Sequence, residues 1–242
     1  MFTYAGAAGR NRLQRWWDAI REHPSGVLLA AQLLGILVFP FTDEAGAGRT
    51  VISIFGLFVL AVAVMAVNRT PSTRVLAYTL GAPVVVLTLA EAVWSDVAWI
   101  SFVSNCAHAV FYFYTAVSLL RYMFADAWVS RDELLATGAT FTVLVWAFAY
   151  TYGAVQIILP DSFSVGGEIR PLSWFELLFL STTTLTGTGL SDIAPNTSDS
   201  PDVRAGANFA RSVVMLQMLT GMNYVALVIA RLLGLTLIKF RR

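Results

Sequence analysis

The chain has 242 residues, of which 57% are hydrophobic and 13% charged, with a formal net charge of +1 and a mean hydropathy of +0.68. A soluble domain carries about 25% charged residues, so a soluble globular protein is excluded and an all-α integral membrane protein is expected. Near-neutral charge excludes a nucleic-acid partner, which needs a clustered basic surface. The sole cysteine, Cys106, excludes an intrachain disulfide and a cysteine metal cluster and is read as a buried structural thiol.

In chain order, residues 1–24 come first as a cytoplasmic or interfacial segment. Within it Leu13, Trp16, Trp17 and Ile20 recur at helical spacing opposite Arg10, Arg12, Arg15 and Arg21. This is the pattern of a helix lying in the membrane interface, or of a basic flank that fixes topology; both readings stand. A bilayer core of about 30 Å needs roughly 20 mostly apolar residues per helix. Six stretches approach or meet that need, at 25–41, 51–67, 75–94, 97–120, 135–159 and 207–236; the first two are short, and the second could be tilted or shallow. The first is expected to remain as an anchor, because it follows a long charged segment and ends without a small-residue cleavage site.

Basic residues set the orientation, since cytoplasmic segments carry the excess of lysine and arginine. Arg10, Arg12, Arg15, Arg21, Arg69, Arg74, Arg121, Arg131, Lys239, Arg241 and Arg242 fall on one side, against Arg49, Arg170, Arg204 and Arg211 on the other. The expectation is a multi-pass protein of the cell membrane with both termini cytoplasmic. The fourth stretch contains no arginine or lysine, which argues against steep voltage sensing. Its His108 is either a proton sensor or an interhelical hydrogen-bonding residue. Glu91 and Asp96 sit near the outer boundary, solvated or paired. His23 and His108 have no ligand-spaced partners and no nucleophile dyad is present, so no enzyme is expected.

About 47 residues separate the fifth and sixth stretches, too many for a simple turn. Residues 160–168 are polar and turn-rich and belong outside the membrane. Ser173 followed by Glu176 is a capping-box signature that opens a short apolar helix over 173–183, beginning Trp174-Phe175-Glu176. Being too short to cross, it implies a re-entrant segment, followed by a loop over 184–192. Irregular backbone at membrane depth must be buried in protein or line a water-filled cavity. The carbonyl end of that helix favours a cation. Thr182, Thr183, Thr184, Thr186, Thr188 and Ser191 add hydroxyl oxygens, while Gly187 and Gly189 allow close backbone approach. Such oxygens suit hard monovalent cations.

The string Thr184-Leu185-Thr186-Gly187-Thr188-Gly189-Leu190-Ser191-Asp192-Ile193-Ala194-Pro195 resembles, without a gap, the T-L-T-T-V-G-Y-G-D-I-T-P of bacterial potassium-channel-family proteins with a helix, pore loop, helix plan. The resemblance runs into the last helix through Ala210-Arg211-Ser212, Leu219-Thr220-Gly221, Tyr224 and Ile229 to Leu235, and covers about the last hundred residues. It implies a tetrameric pore-loop channel: a peripheral four-helix domain at 25–120, a linker at 121–134 and a pore domain at 135–242. Thr186, Gly187, Thr188, Gly189, Leu190, Ser191 and Asp192 would form the filter. Ser173, Trp174 and Glu176 would open the pore helix, Gly221 would be an inner-helix hinge and Asn223 would line the pore. Close helix packing is the other reading of Gly221. The last helix, longer than a crossing needs, is expected to tilt and run on into the cytoplasm, with no cytosolic ligand-binding domain after it.

The departures weaken potassium selectivity. Gly187 lacks the hydroxyl of the innermost site, and Leu190 lacks the tyrosine hydroxyl that braces the filter. Ser191 stands where a glycine with φ > 0 is expected, at a cost of about 1 kcal/mol per subunit. A second register sets Gly187-Thr188-Gly189 on G-Y-G and inserts two residues before Asp192; the gapless one keeps both flanks in place and is preferred. The expectation is a homotetramer in a lipid bilayer, without cofactor, passing monovalent cations (K+ or Na+) with altered selectivity. The alternatives are a non-conducting pore-loop protein used for assembly or regulation, and a Trk/Ktr-like transporter, whose four pore repeats in one chain have no counterpart here.

Overall fold

A computed structural model describes residues 23–41, 47–67, 71–94, 97–125, 130–197 and 201–240. The interfacial reading of residues 10–21, and Asp96, lie outside them. Among the described residues seven α-helices follow in order: α1 (Pro24–Val38), α2 (Ala47–Val67), α3 (Pro71–Val93), α4 (Ala98–Met123), α5 (Arg131–Ile158), α6 (Trp174–Leu185) and α7 (Pro201–Phe240). Among the described residues five stretches are long and apolar enough to cross a membrane by length and composition: Pro24–Phe41, Val75–Val93, Ala98–Met123, Arg131–Ile158 and Val203–Leu233. Within the second of the six expected spans the apolar run Phe55–Ala66 lies inside the 21-residue helix α2. With α6 as a short helix between α5 and α7, the fold is all-α, as expected.

Local chemistry sets the helix ends. Pro24 occupies the first turn of α1, where its missing N–H costs nothing. At the start of α5 the Ser130 hydroxyl accepts from the Glu133 backbone N–H at 3.2 Å, and Asp132 and Glu133 place negative charge on the positive end of the helix dipole. Helix α5 is the spine: 61% of its apolar window is buried, against 17% for α3 and 22% for the window in α7. Its Trp146 and Tyr152 are fully buried together with Tyr112 and Phe111 of α4. Helix α7 is 40 residues long, about 60 Å at 1.5 Å per residue and roughly twice a bilayer core.

The α5–α6 connection is more ordered than a polar loop. Strand β1 (Phe163–Val165) pairs antiparallel with β2 (Glu168–Ile169) through Gly166 and Gly167 at φ 56° and 92°, the values of a type I′ hairpin turn. Strand β1 also pairs with β3 (Ile193–Pro195), Ser164 opposite Ala194, in the order β2-β1-β3. Beneath this sheet, Phe163 and Ile193 pack with Phe148, Tyr152, Leu172, Leu177, Leu180, Ala210 and Val213. The residues just after the glycine-threonine loop are thereby clamped to the residues just before α6.

Candidate functional site

The short helix begins where the capping box placed it. The Ser173 hydroxyl accepts from the Glu176 N–H at 3.3 Å, and the Glu176 carboxylate accepts from the Ser173 N–H at 2.8 Å. Arg170 adds a two-pronged bond to the same carboxylate, with Nη1 3.0 Å from Oε2 and Nη2 bonded to Oε1. The hydrogen-bonded Arg170 guanidinium, helped by the Ser173 bonds, holds Glu176 down at about 2. Trp174 lies 4.2 Å from the ring of Tyr150, which in turn stacks at 4.3 Å on His108. The His108 Nδ1 reaches the Ser104 carbonyl at 2.8 Å and Nε2 lies 3.2 Å from the Thr88 hydroxyl. This histidine is therefore an interhelical hydrogen-bonding residue joining α3, α4 and α5. Cys106 is half-buried, not buried as expected, because it lies away from the face of α4 that holds Ser104, His108 and Thr115 in the core.

Deeper along α6, two contacts fix it to α7. The Gln217 amide donates to the Ser181 carbonyl at 2.8 Å and to the Ser181 hydroxyl at 2.7 Å, while its oxygen accepts from the Tyr152 hydroxyl. One turn on, Gly221 faces the Leu185 backbone: an added Cβ would lie 3.0 Å from the carbonyl carbon and closer still to its oxygen. Gly221 is thus a point of close packing, within a helix that runs unbroken through it. Asn223 is exposed and bonds its own helix at the Leu219 carbonyl, 2.8 Å.

The end of α6 closes as a Schellman motif. The Gly187 N–H bonds the Thr184 carbonyl at 3.1 Å and the Thr188 N–H bonds the Thr183 carbonyl at 3.1 Å, with Gly187 at φ 71°; glycine meets that left-handed position without a Cβ penalty. Gly187 therefore follows the Thr186 C-cap as the left-handed residue that ends the short helix. Its sequence signal is a glycine two residues after Leu185, the last apolar residue of the helix. Gly189 also has positive φ, 63°, whereas the only such non-glycine among the described residues is Asp161. The strain expected at Ser191 does not arise. The loop instead tightens there, with the Ser191 N–H on the Gly189 carbonyl at 2.9 Å and the Ser191 hydroxyl accepting from the Ile193 N–H at 3.0 Å.

Residues Thr186 to Leu190 are exposed, and Leu190 is 76% exposed. The Thr186 and Thr188 hydroxyl oxygens lie 3.0 Å apart on this open face, whereas Thr183 and Thr184 are buried. The far end of the loop is anchored as firmly as the near end. The Gly166 N–H holds the Asp192 carbonyl at 2.9 Å, the Asn196 N–H bonds the Ser162 carbonyl at 2.8 Å, and Arg211 reaches from α7 to the Asn196 carbonyl at 3.0 Å. Sequence reasoning missed Asn196, the Arg211 bond to it and the pairing of Ile193–Pro195 with β1; the Gly166-Gly167 pair is the available hairpin signal. Among the described residues no group of three or more His, Cys, Asp or Glu side chains could hold a metal ion.

The geometry defines a class: a multi-helix protein whose fifth and last helices enclose a short helix and an exposed, oxygen-rich loop anchored at both ends. In agreement, residues 139–236, from within α5 to near the end of α7, match a family model described as Ion channel. No curated protein and no solved structure matches the chain.

Proposed function

We propose that this chain is the subunit of a homotetrameric membrane channel that passes monovalent cations, potassium among them, with selectivity altered from that of a standard potassium filter. The observation that carries the reading is the loop 186–190, exposed on the subunit yet fixed at both ends, within the segment that matches the ion-channel model. One chain supplies one loop, and a filter of converging oxygens needs about four. The exposed face of α7, with Met215, Leu219 and Met222, would then face the axis or a neighbouring copy, and Asn223 would line the inner cavity. Thr186, Gly187, Thr188, Gly189, Leu190, Ser191 and Asp192 would supply the ion-facing surface, which offers oxygens and no cation of its own. Passage would be passive, with both termini cytoplasmic and no cofactor.

One observation favours a second reading. The carbonyls of Thr183, Thr184 and Gly189 already accept backbone bonds, so a loop closed in this way also suits a non-conducting subunit used for assembly or regulation. Purified protein in liposomes separates the two. The channel reading expects rubidium or sodium uptake that Gly189→Val abolishes, from a particle with four-fold symmetry and an axial pore. Impermeable liposomes, or a monomeric or dimeric particle, would overturn it.

A further inference from the structure

The bond pattern around Gln217 gives this helix residue a role in ion discrimination that the loop sequence does not announce. Gln217, Ser181 and Tyr152 are each fully buried, on α7, α6 and α5. The Tyr152 hydroxyl donates to the Gln217 oxygen. Both amide hydrogens of Gln217 go to Ser181, one to the carbonyl at 2.8 Å and one to the hydroxyl at 2.7 Å. The Ser181 hydroxyl donates onward to the Val145 carbonyl at 2.7 Å. Every hydrogen has an acceptor, and the order is unique. Turning the amide over would set its oxygen against the Ser181 carbonyl, where no hydrogen stands between them. In apolar surroundings a fully satisfied network of this kind is rigid and specifies one arrangement.

The network sits one helical turn before Leu185, whose backbone packs on Gly221. Gln217 and Gly221 are one turn apart on α7, as Ser181 and Leu185 are on α6. Two successive turns of each helix are thus locked together, fixing the depth and rotation of α6 immediately behind the loop. The loop is bonded to itself and at its two ends, but its Leu190 side chain, 76% exposed, packs on nothing behind it. We infer that Gln217, with Tyr152 and Ser181, is a positioning residue that sets the geometry of the loop from behind and so determines how sharply potassium is distinguished from sodium. The inference rests on the conduction reading above.

The test is the K+ to Na+ permeability ratio of the full-length protein in planar bilayers, taken from reversal potentials under bi-ionic conditions. Tyr152→Phe removes one oxygen and little volume; Gln217→Leu removes the centre of the network. Loss of one hydrogen bond's worth of positioning corresponds to about a five-fold change. A ratio lowered by about that factor in Tyr152→Phe is therefore expected, with unitary current retained. The double variant Tyr152→Phe with Gln217→Met should be no worse than Gln217→Met alone, since both act through one network. A wild-type ratio in Tyr152→Phe overturns the inference, even if Gln217→Leu fails to assemble. Absence of any wild-type current overturns the conduction reading, and this inference with it.

Discussion

Gly221→Ala pits two opposed effects against each other. Within a helix, alanine is favoured over glycine by about 0.5–1 kcal/mol because the unfolded chain loses less entropy. Against that, the new methyl meets the Leu185 carbonyl carbon at 3.0 Å and Cα at 3.3 Å, with the carbonyl oxygen nearer still. Those atoms are backbone and cannot rotate aside, so α7 must move off α6. Overpacking of this kind costs about 1–3 kcal/mol, and the upper end applies where nothing flexible can yield. The net expectation is a loss of about 2–2.5 kcal/mol per subunit, together with reduced cation flux because Leu185 directly precedes the loop. Gly56 in α2 has nothing within 4 Å of an added Cβ, so Gly56→Ala keeps only the propensity term and should be neutral or slightly stabilising. Thermal unfolding of both variants in detergent, followed by tryptophan fluorescence, compares the signs. If Gly221→Ala unfolds at or above the wild-type temperature, the close-packing reading of Gly221 is wrong.

The remaining expectations concern the two ends of the pore segment. Arg231 pairs with Glu133 at 3.0 Å with both side chains nearly buried, and its guanidinium lies over Phe124 at 4.9 Å. Removing one member of a buried pair costs about 3–5 kcal/mol, so Glu133→Gln and Arg231→Gln should each lower the unfolding temperature markedly; wild-type stability in both would count against the pair. Gly187→Ala must hold φ 71°, at a cost of about 1 kcal/mol, and Gly187→Asn, which tolerates that region, should retain more flux than Gly187→Val. Equal flux from all three would show that the Schellman ending does not matter. At the start of α6, Glu176 is held down to about 2 by Arg170, below the ordinary carboxylate value of about 4.3. A depressed carboxylate contributes stability above its unfolded value and loses it as pH falls through its folded one. The stability difference between wild type and Arg170→Met should therefore be constant from neutral pH to about 5 and shrink between about 4 and 2. A difference that persists at pH 2 would contradict the assignment.

Much of this molecule is legible in one dimension because membrane helices answer to length and hydropathy, and those were read directly. Ser173 and Glu176 marked the start of α6 because a capping box is a local device, complete within four residues. What escaped was non-local. Strand β3 is three residues long and carries no periodicity; it exists because Phe163 to Val165, about thirty positions earlier, presents an edge to it. Gln217 reads as a stray polar residue in an apolar helix until Tyr152 and Ser181 are brought to it across 65 and 36 positions. Ser191 was misjudged for a related reason. Its expected strain came from aligning it with a glycine, whereas the loop places its two left-handed residues at Gly187 and Gly189, where glycine is present and the strain vanishes.

A chain with no charged ladder in α4 still keeps that helix, and the packing gives a reason independent of voltage. At one end of α5, Asp132 accepts from the Ser25 N–H at 3.1 Å, the Ser25 hydroxyl at 3.0 Å and the Tyr122 hydroxyl at 3.1 Å, binding the starts of α1 and α5 to the end of α4. The neighbouring Glu133 holds Arg231 of α7. Toward the other end, Tyr150 stands between His108 of α4 and Trp174 of α6. Helices α1 and α4 therefore grip α5 at two levels: at one the gripped Asp132 is adjacent to Glu133, which holds α7, and at the other the gripped Tyr150 itself touches α6. In apolar surroundings the buried carboxylates are stable only while these partners stay in place. Displacing α4 would take the Tyr122 bond from Asp132 and the His108 ring from Tyr150, the residue on which Trp174 packs, so α4 supports α6 through α5 by packing alone, and a fourth helix without a ladder of arginines is sufficient for that.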